Sequence, residues 1–209
     1  MTNSVVHVLE INNLRMRYPF SSSPILDELT FKIEYGERIA LVGPSGCGKS
    51  TVAKIALQLL PKGSLCEGEV LVNGKDPRLL NQSELRKFRG EEVGLIFQDP
   101  MSRLNPLMTI GGHLIDTFMA HRPGKDPKWY RYKSEELLER VGIDPCRFNA
   151  YPHQFSGGMR QRVVIAMAIA LNPSLIIADE PTTSLDTEVA NYLMEELRTL
   201  CDELGTSLL

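Results

Sequence analysis

The sequence predicts an α/β fold organised on a mostly parallel sheet, and three observations carry that reading. Apolar runs of strand length alternate with helical stretches along the chain. One run, residues 38–43 (RIALVG), passes through a glycine-rich loop straight into a helical stretch. Another, Leu175–Ala178, ends on two adjacent carboxylates, Asp179 and Glu180. Strands that alternate with helices pair in parallel and need helices on both faces, because each crossover lays a helix against the sheet.

Alternating apolar positions at 6–14 and 29–33 predict an antiparallel pair of strands, separated by the Pro- and Ser-rich loop 18–24. Residues 38–43 predict a strand and 49–60 a helix that Pro61 stops. Residues 69–72 followed by Asn73-Gly74 read as a strand and a hairpin turn, and 92–97 as a further strand ending at Gln98-Asp99-Pro100. From 99 to 155 the texture changes to Pro, Met and aromatics. Helices are expected there near 110–120 and 134–141, the second opened by a capping box at Ser134. A helix apolar nearly all round follows at 158–170, then the strand Leu175–Ala178. An amphipathic helix at 187–204 closed by Gly205 comes next, and a strand begins at 206–209. The expected organisation over 1–209 is a core of 1–98 and 156–209, including an N-terminal β subdomain, with a helical subdomain inserted at 99–155.

A chain of 209 residues has room for one substantial core and a small appended lobe. Its 23 basic and 26 acidic residues, with a pI near 5.9, leave no general electrostatic footprint for nucleic acid, so no nucleic-acid partner is expected. Cys47, Cys66, Cys146 and Cys201 are scattered without a C-x-x-C pair, which disfavours a disulfide framework or zinc site and fits a reducing compartment. The first residues show neither a basic n-region nor an apolar h-region, and no window approaches eighteen consecutive apolar residues. The chain is therefore expected neither to cross nor to enter a membrane by itself.

Gly43, Pro44, Ser45, Gly46, Cys47, Gly48, Lys49 and Ser50 fit the P-loop pattern G-x-x-x-x-G-K-[ST] without departure. They also lie between a predicted strand and a predicted helix, the context that pattern needs. The glycines let the backbone wrap phosphates, the N–H groups at the helix start favour their charge, and Lys49 adds a cation at the β- and γ-phosphates. Ser50 is expected to offer its hydroxyl to Mg²⁺. Asp179 stands at a strand end, where open α/β sheets place ligands, and is expected to hold Mg²⁺ through water. Glu180, one residue on, is the candidate general base that polarises an attacking water. Ser156, Gly157 and Gly158 open a second buried helix with free N–H groups suited to an anion. Because the chain carries one P-loop, the economical occupant is the γ-phosphate of a nucleotide held by a second subunit.

In this order the motifs resemble the ATP-binding cassette (ABC) ATPases over essentially the whole chain. GPSGCGKST, closed by Thr51, is similar to the family's Walker A, Gln98 to its Q-loop glutamine and FSGGM at 155–159 to its signature. LIIADE at 175–180 is similar to its Walker B, and Ser184-Leu185-Asp186 to its D-loop. The resemblance implies a P-loop NTPase core of the RecA-like kind, with an N-terminal antiparallel β subdomain and an inserted α-helical subdomain. It implies ATP as substrate with Mg²⁺, catalytic roles for Glu180, Gln98 and Lys49, a metal contact for Gln98 and a nucleotide contact for Asp186. Tyr18 occupies the place of the aromatic that stacks on adenine in the family; an ordinary strand-end tyrosine is the other reading, since a Pro- and Ser-rich loop shifts register easily. Phe155 stands where the family usually has Leu, and Met159 where it has Gln. That glutamine's polar contacts do not carry over, whereas those of Ser156 and Gly158 do.

Longer strings, IFQDPMSRLNP at 96–106, YPHQFSGGMRQR at 151–162 and IADEPTTSLD at 177–186, look like ATPase subunits of bacterial dipeptide, oligopeptide and nickel importers. That likeness implies ATP hydrolysis that energises import of a small solute, a peptide or nickel. The permease would be formed by separate transmembrane subunits, supplied by a solute-binding protein, with the ATPase peripheral on the cytoplasmic face of the bacterial inner membrane. ATP would be sandwiched between the P-loop of one ATPase subunit and the Ser156 helix of another, in a homo- or heterodimer. In the family a switch histidine follows the D-loop helix, and none of His7, His113, His121 or His153 lies there. The chain is therefore expected to be a truncated piece of a longer subunit, able to bind nucleotide and impaired in turnover. Two other functions are compatible with the same nucleotide motifs. One is a soluble ABC ATPase acting on DNA or ribosomes, which the acidic pI and single cassette disfavour; the other is a hydrolysis-impaired nucleotide-gated scaffold, which Glu180 argues against.

Overall fold

The computed structural model describes residues 7–97, 103–183 and 185–209. Strand β1 (His7–Arg17) is the middle of a three-stranded antiparallel sheet, flanked by β2 (Leu26–Glu34) and β3 (Leu65–Val72). Leu9 and Ile11 are buried at strand spacing, and burial resumes at Leu14 and Met16, one residue out of phase. The slip is a bulge: register shifts between Ile11 and Leu14 against β2, and between Asn12 and Arg15 against β3, with Asn13 at φ 48°. Gly68 faces it on β3, where a Cβ would stand 2.4 Å from the Asn13 carbonyl oxygen.

The second sheet is parallel, in the order β4 (Val93–Ile96), β5 (Leu175–Ala178), β6 (Ser207–Leu208). The strand expected at 38–43 is not formed as a ladder among the described residues; its one sheet contact is a parallel bridge from Arg38 to Leu208. A strand needs a partner along its length, and β6 supplies one for two residues only. The flanking bonds from Leu208 N to the Glu37 carbonyl and from Ile39 N to the Leu208 carbonyl are made, at 3.0 and 2.8 Å. The outer part of the run is accordingly open, and Val42 is 94% exposed.

Alternation along β5 divides the core in two. Leu175 and Ile177 point into a cluster with β1, β3 and α1 (Lys49–Ala56), while Ile176 points into a cluster with α3 (Ile110–His121), α4 (Pro127–Arg140), α5 (Gly157–Ile169) and α6 (Thr187–Leu204). The parallel sheet is thus buried on both faces, as its apolar strands require.

Two helix expectations change, and one helix is unanticipated. Helix α1 ends at Ala56 rather than at Pro61, and Arg89 hydrogen-bonds the Leu57 and Gln58 carbonyl oxygens, both at 2.8 Å, which satisfies a helix end four residues early. That arginine lies in the last turn of α2 (Gln82–Glu91), where the backbone at Arg89 and Gly90 leaves helical geometry; the helix is largely polar, with Leu85 and Phe88 its buried apolar residues. A capping box does mark its start: Asn81 accepts from Ser83 and Glu84 N, and Glu84 accepts from Asn81 N. Helix α4 starts at Pro127, capped by Asp126, which accepts from Lys128 N at 2.7 Å. Ser134 is therefore interior to α4, buried and donating to the Tyr130 carbonyl at 2.8 Å, and caps nothing.

Candidate functional site

The glycine-rich loop is shaped by its glycines. Gly46 and Gly48 take φ of 80° and 101°, a region that suits a residue without Cβ. At Gly48 a Cβ would also stand 2.6 Å from Leu26 Cδ2, so β2 and the loop pack only because this position is bare. Gly48 is the N-cap of α1, and no side chain among the described residues caps that helix. Thr51 and Val52 N–H turn back to the Gly48 carbonyl, leaving the earlier N–H groups to face the loop. Lys49 Nζ donates to the Gly43 and Pro44 carbonyls at 2.9 and 3.1 Å, which holds the ammonium against the same loop.

Two segments 129 residues apart meet here: Ser50 Oγ donates to Asp179 Oδ1 at 2.7 Å. Asp179 is fixed from behind by its N–H, which donates to the Ile96 carbonyl at 2.9 Å and extends the β4–β5 pairing. A hydroxyl and a carboxylate at this separation are the hard oxygen donors that Mg²⁺ takes one or two of from protein, with phosphate oxygens filling the rest. The residues fit the ion. Among the described residues no cluster of three His, Cys, Asp or Glu side chains offers a second metal site.

Glu180 sits at φ 48°, a left-handed backbone that a non-glycine residue adopts at a cost, and such strain concentrates at functional sites. Thr183 Oγ1 donates to Glu180 Oε2 at 3.1 Å. Lys49, Asp179 and Glu180 line one cleft of about 720 Å³ with Leu41, Ile177 and Met194. Tyr18 joins the same end of α1: its hydroxyl lies 3.1 Å from the hydroxyl of buried Thr51. The loop after β1 is thereby held in register beside the P-loop helix.

Ser156, Gly157 and Gly158 do not line that cleft. They begin α5, where Ser156 is the N-cap and accepts from Met159 N at 3.3 Å. Asp186 caps α6, accepting from Val189 N at 3.0 Å. The two helix starts pack together: Cβ atoms at Gly157 and Gly158 would stand 3.5 Å from Leu185 Cδ2 and 3.1 Å from Val189 Cγ1. Gln98, Asp99, Pro100 and Ser184 lie outside the described residues.

The histidines hold other posts. Buried His113 accepts from Asn105 N through Nε2 and donates from Nδ1 to the Thr109 carbonyl, both at 2.8 Å, which fixes the neutral tautomer. His153 stacks on Tyr151 with centroids 5.6 Å apart.

Sequence comparison then decides the family, because the model of ABC transporters matches residues 26–183, from β2 through the Glu180 turn. The chain belongs to this family. Among ABC transporter proteins it is 40% identical to the oligopeptide transport ATP-binding protein OppD of Bacillus subtilis (strain 168), over 98% of this chain and 59% of that protein. It is 38% identical to the dipeptide transport ATP-binding protein DppD of Lactococcus lactis subsp. cremoris, over 96% of this chain and 59% of that protein. The chain spans about three fifths of the length of these curated relatives. Its fold is that of solved ABC cassettes: the dimeric post-hydrolysis structure of the ATP-binding cassette MJ0796 bound to ADP and Pi superposes with a TM-score of 0.80 at 31% identity, over 96% of this chain and 85% of that one.

Two residues at the candidate site escape a motif reading. Thr183, which holds Glu180, is one of two adjacent threonines and carries no spacing signal. Leu26, which demands the bare Gly48, is distant in sequence and becomes visible only in the fold.

Proposed function

We propose that this chain binds ATP with Mg²⁺, and that the protein it represents hydrolyses ATP to energise import of a small solute through a membrane permease. The observation that carries the reading is the Ser50–Asp179 contact of 2.7 Å beside an uncapped α1. It joins a phosphate cradle to an oxygen pair suited to magnesium. When bound, Mg²⁺ neutralises charge on the phosphate oxygens.

The protein's own residues supply the rest. Backbone N–H groups at Gly46, Gly48 and Lys49 orient the phosphates, and Lys49 Nζ exchanges the Gly43 and Pro44 carbonyls for phosphate oxygens. Ser50, Asp179 and Gln98 are the residues that would hold the metal, and Glu180 would take the proton of the attacking water as general base. Tyr18 offers its ring to the adenine. Ser156, Gly157 and Gly158, with Asp186, face the nucleotide of a second ATPase subunit.

The identity to peptide-transport ATP-binding proteins supports a peptide over nickel as the solute class. An apolar cleft of about 390 Å³ between α2, α3 and α5, lined by Leu57, Leu59, Phe97, Met167 and Leu171, supports contact with a permease. No helix among the described residues is long and apolar enough to cross a membrane. On this reading the subunit docks peripherally on the cytoplasmic face. A solute-binding protein would act through the permease and not through this chain.

Titration with ATP, with and without Mg²⁺, tests the reading. Saturable binding is expected, weakened by about 10–100-fold in Lys49→Ala, as expected for loss of a charge-assisted contact. Binding that ignores both Mg²⁺ and Lys49 would overturn it. Steady-state hydrolysis, compared with Glu180→Gln, tests the role of the base.

A further inference from the structure

Gln161, one turn into α5, is 1% exposed, and neither its Oε1 nor its Nε2 has a partner among the described residues. Its neighbours Val163, Val164, Ile165 and Ala166 are buried and apolar. A buried amide without partners opposes folding, whereas a methionine or leucine would fill similar volume with no polar atom to satisfy. The glutamine is therefore a local rule broken, and such breaks collect at functional or strained sites.

Its place on the helix indicates which site. At 100° per residue Gln161 lies about 40° from Gly157 and about 20° from Ala168, so the three share a face. One end of that face lies on Leu185, 3.5 Å from a Cβ at Gly157. The other end lies over β4, where the Ala168 carbonyl oxygen would stand 2.4 Å from a Cβ at Gly94. Long helical side chains lean toward the helix N-terminus, so Gln161 leans toward the level of Gly157 and Leu185. In sequence Leu185 lies between Glu180, the proposed base, and Asp186, which caps α6.

We infer that Gln161 is a positioning residue whose amide hydrogen-bonds the backbone at Leu185 once MgATP is bound. It then ties the start of α5, which carries Ser156, to the segment that carries Glu180. This rests on the reading of the chain as a MgATP-binding ABC subunit. The free chain tolerates the unpaired amide, and the nucleotide-bound chain recovers it.

The test uses Gln161→Met and Gln161→Leu in the full chain, with two readouts. The unfolding midpoint without nucleotide is expected to stay level or rise, because an unpaired polar group has been removed. MgATP affinity is expected to fall about tenfold, the scale of one hydrogen bond lost from the bound state. A merely structural side chain would not move these in opposite senses. A fall in midpoint in both variants, or unchanged affinity in both, overturns the inference while leaving nucleotide binding intact. Failure of the unsubstituted chain to bind MgATP overturns the nucleotide reading, and this inference with it.

Discussion

Helices α1 and α5 both begin at a glycine-rich turn, yet their first turns are finished differently. Gly48 caps α1 with a left-handed backbone at φ 101° and no capping side chain among the described residues. Ser156 caps α5 with its own hydroxyl, accepting from Met159 N at 3.3 Å. Each helix start presents N–H donors that need acceptors. Glycine leaves that need to a ligand, whereas serine meets part of it with a long bond whose hydroxyl can rotate away. On the proposed reading, the difference separates a helix start that would be filled by the chain's own nucleotide from one that would stand alone until a second subunit brings a phosphate to it.

Gly48→Ala attacks the contrast most severely. The added methyl would meet Leu26 Cδ2 at 2.6 Å and the Ile25 carbonyl at 3.1 Å, on a backbone that L-residues avoid. Loss of nucleotide binding is expected, with a stability loss of roughly 2 kcal/mol in a denaturant melt; a variant that still binds ATP normally would break the view that the bare position shapes the cradle. Chelating magnesium comes next. ATP affinity measured in EDTA is expected to drop about tenfold, as charge-assisted contacts through Ser50 and Asp179 are lost, and no drop would separate that pair from the metal.

Ser156→Ala is gentler. Removing the cap should lower stability by about 1 kcal/mol, seen as a shifted unfolding midpoint, and should reduce ATP affinity far less than Gly48→Ala does. Equal effects on affinity would erase the distinction between the two helix starts.

The smallest effect lies where α5 meets α6. Burial pushes the Glu196 carboxyl above its usual range, outweighing the Arg162 guanidinium 3.1 Å away. A raised folded value means that the folded chain holds this proton more tightly. The contribution is therefore most favourable below about pH 4.5 and declines as pH rises through the folded value. Glu196→Gln is expected to gain stability relative to the parent as pH rises across that window, in melts at stepped pH; an opposite slope would mean that the ion pair outweighs burial.

The parts of this molecule that could be read in advance are those where chemistry constrains consecutive residues. A cradle for phosphate needs glycines and a lysine within eight positions, and the segments 43–50 and 175–180 declare themselves. The unbroken apolar run of β5 likewise foretells burial on both faces. Helix α2 is easily passed over because it is short and largely polar, with two buried apolar residues, Leu85 and Phe88, and the Asn81–Glu84 capping box is its clearest mark. The start of α4 was missed because a serine and two glutamates inside a helix imitate a cap, whereas the true one is Asp126 followed by Pro127. The run 38–43 reads as a strand from its side chains alone, but a strand also depends on its neighbour. The Tyr18–Thr51 contact was out of reach because it depends on the path of an eight-residue surface segment.

The bond between Ser50 and Asp179 has a consequence for the order of arrival. Each of these oxygens satisfies the other, so a free cation must first separate them, and it gains only two protein ligands in return. Magnesium surrenders its water shell reluctantly and favours sites where a substrate contributes oxygens as well. A cation already chelated by a triphosphate arrives with those oxygens in place, so the exchange costs little. On the proposed reading the pair would act as a latch that discriminates by escort: metal and nucleotide would enter together, and magnesium by itself would pass by.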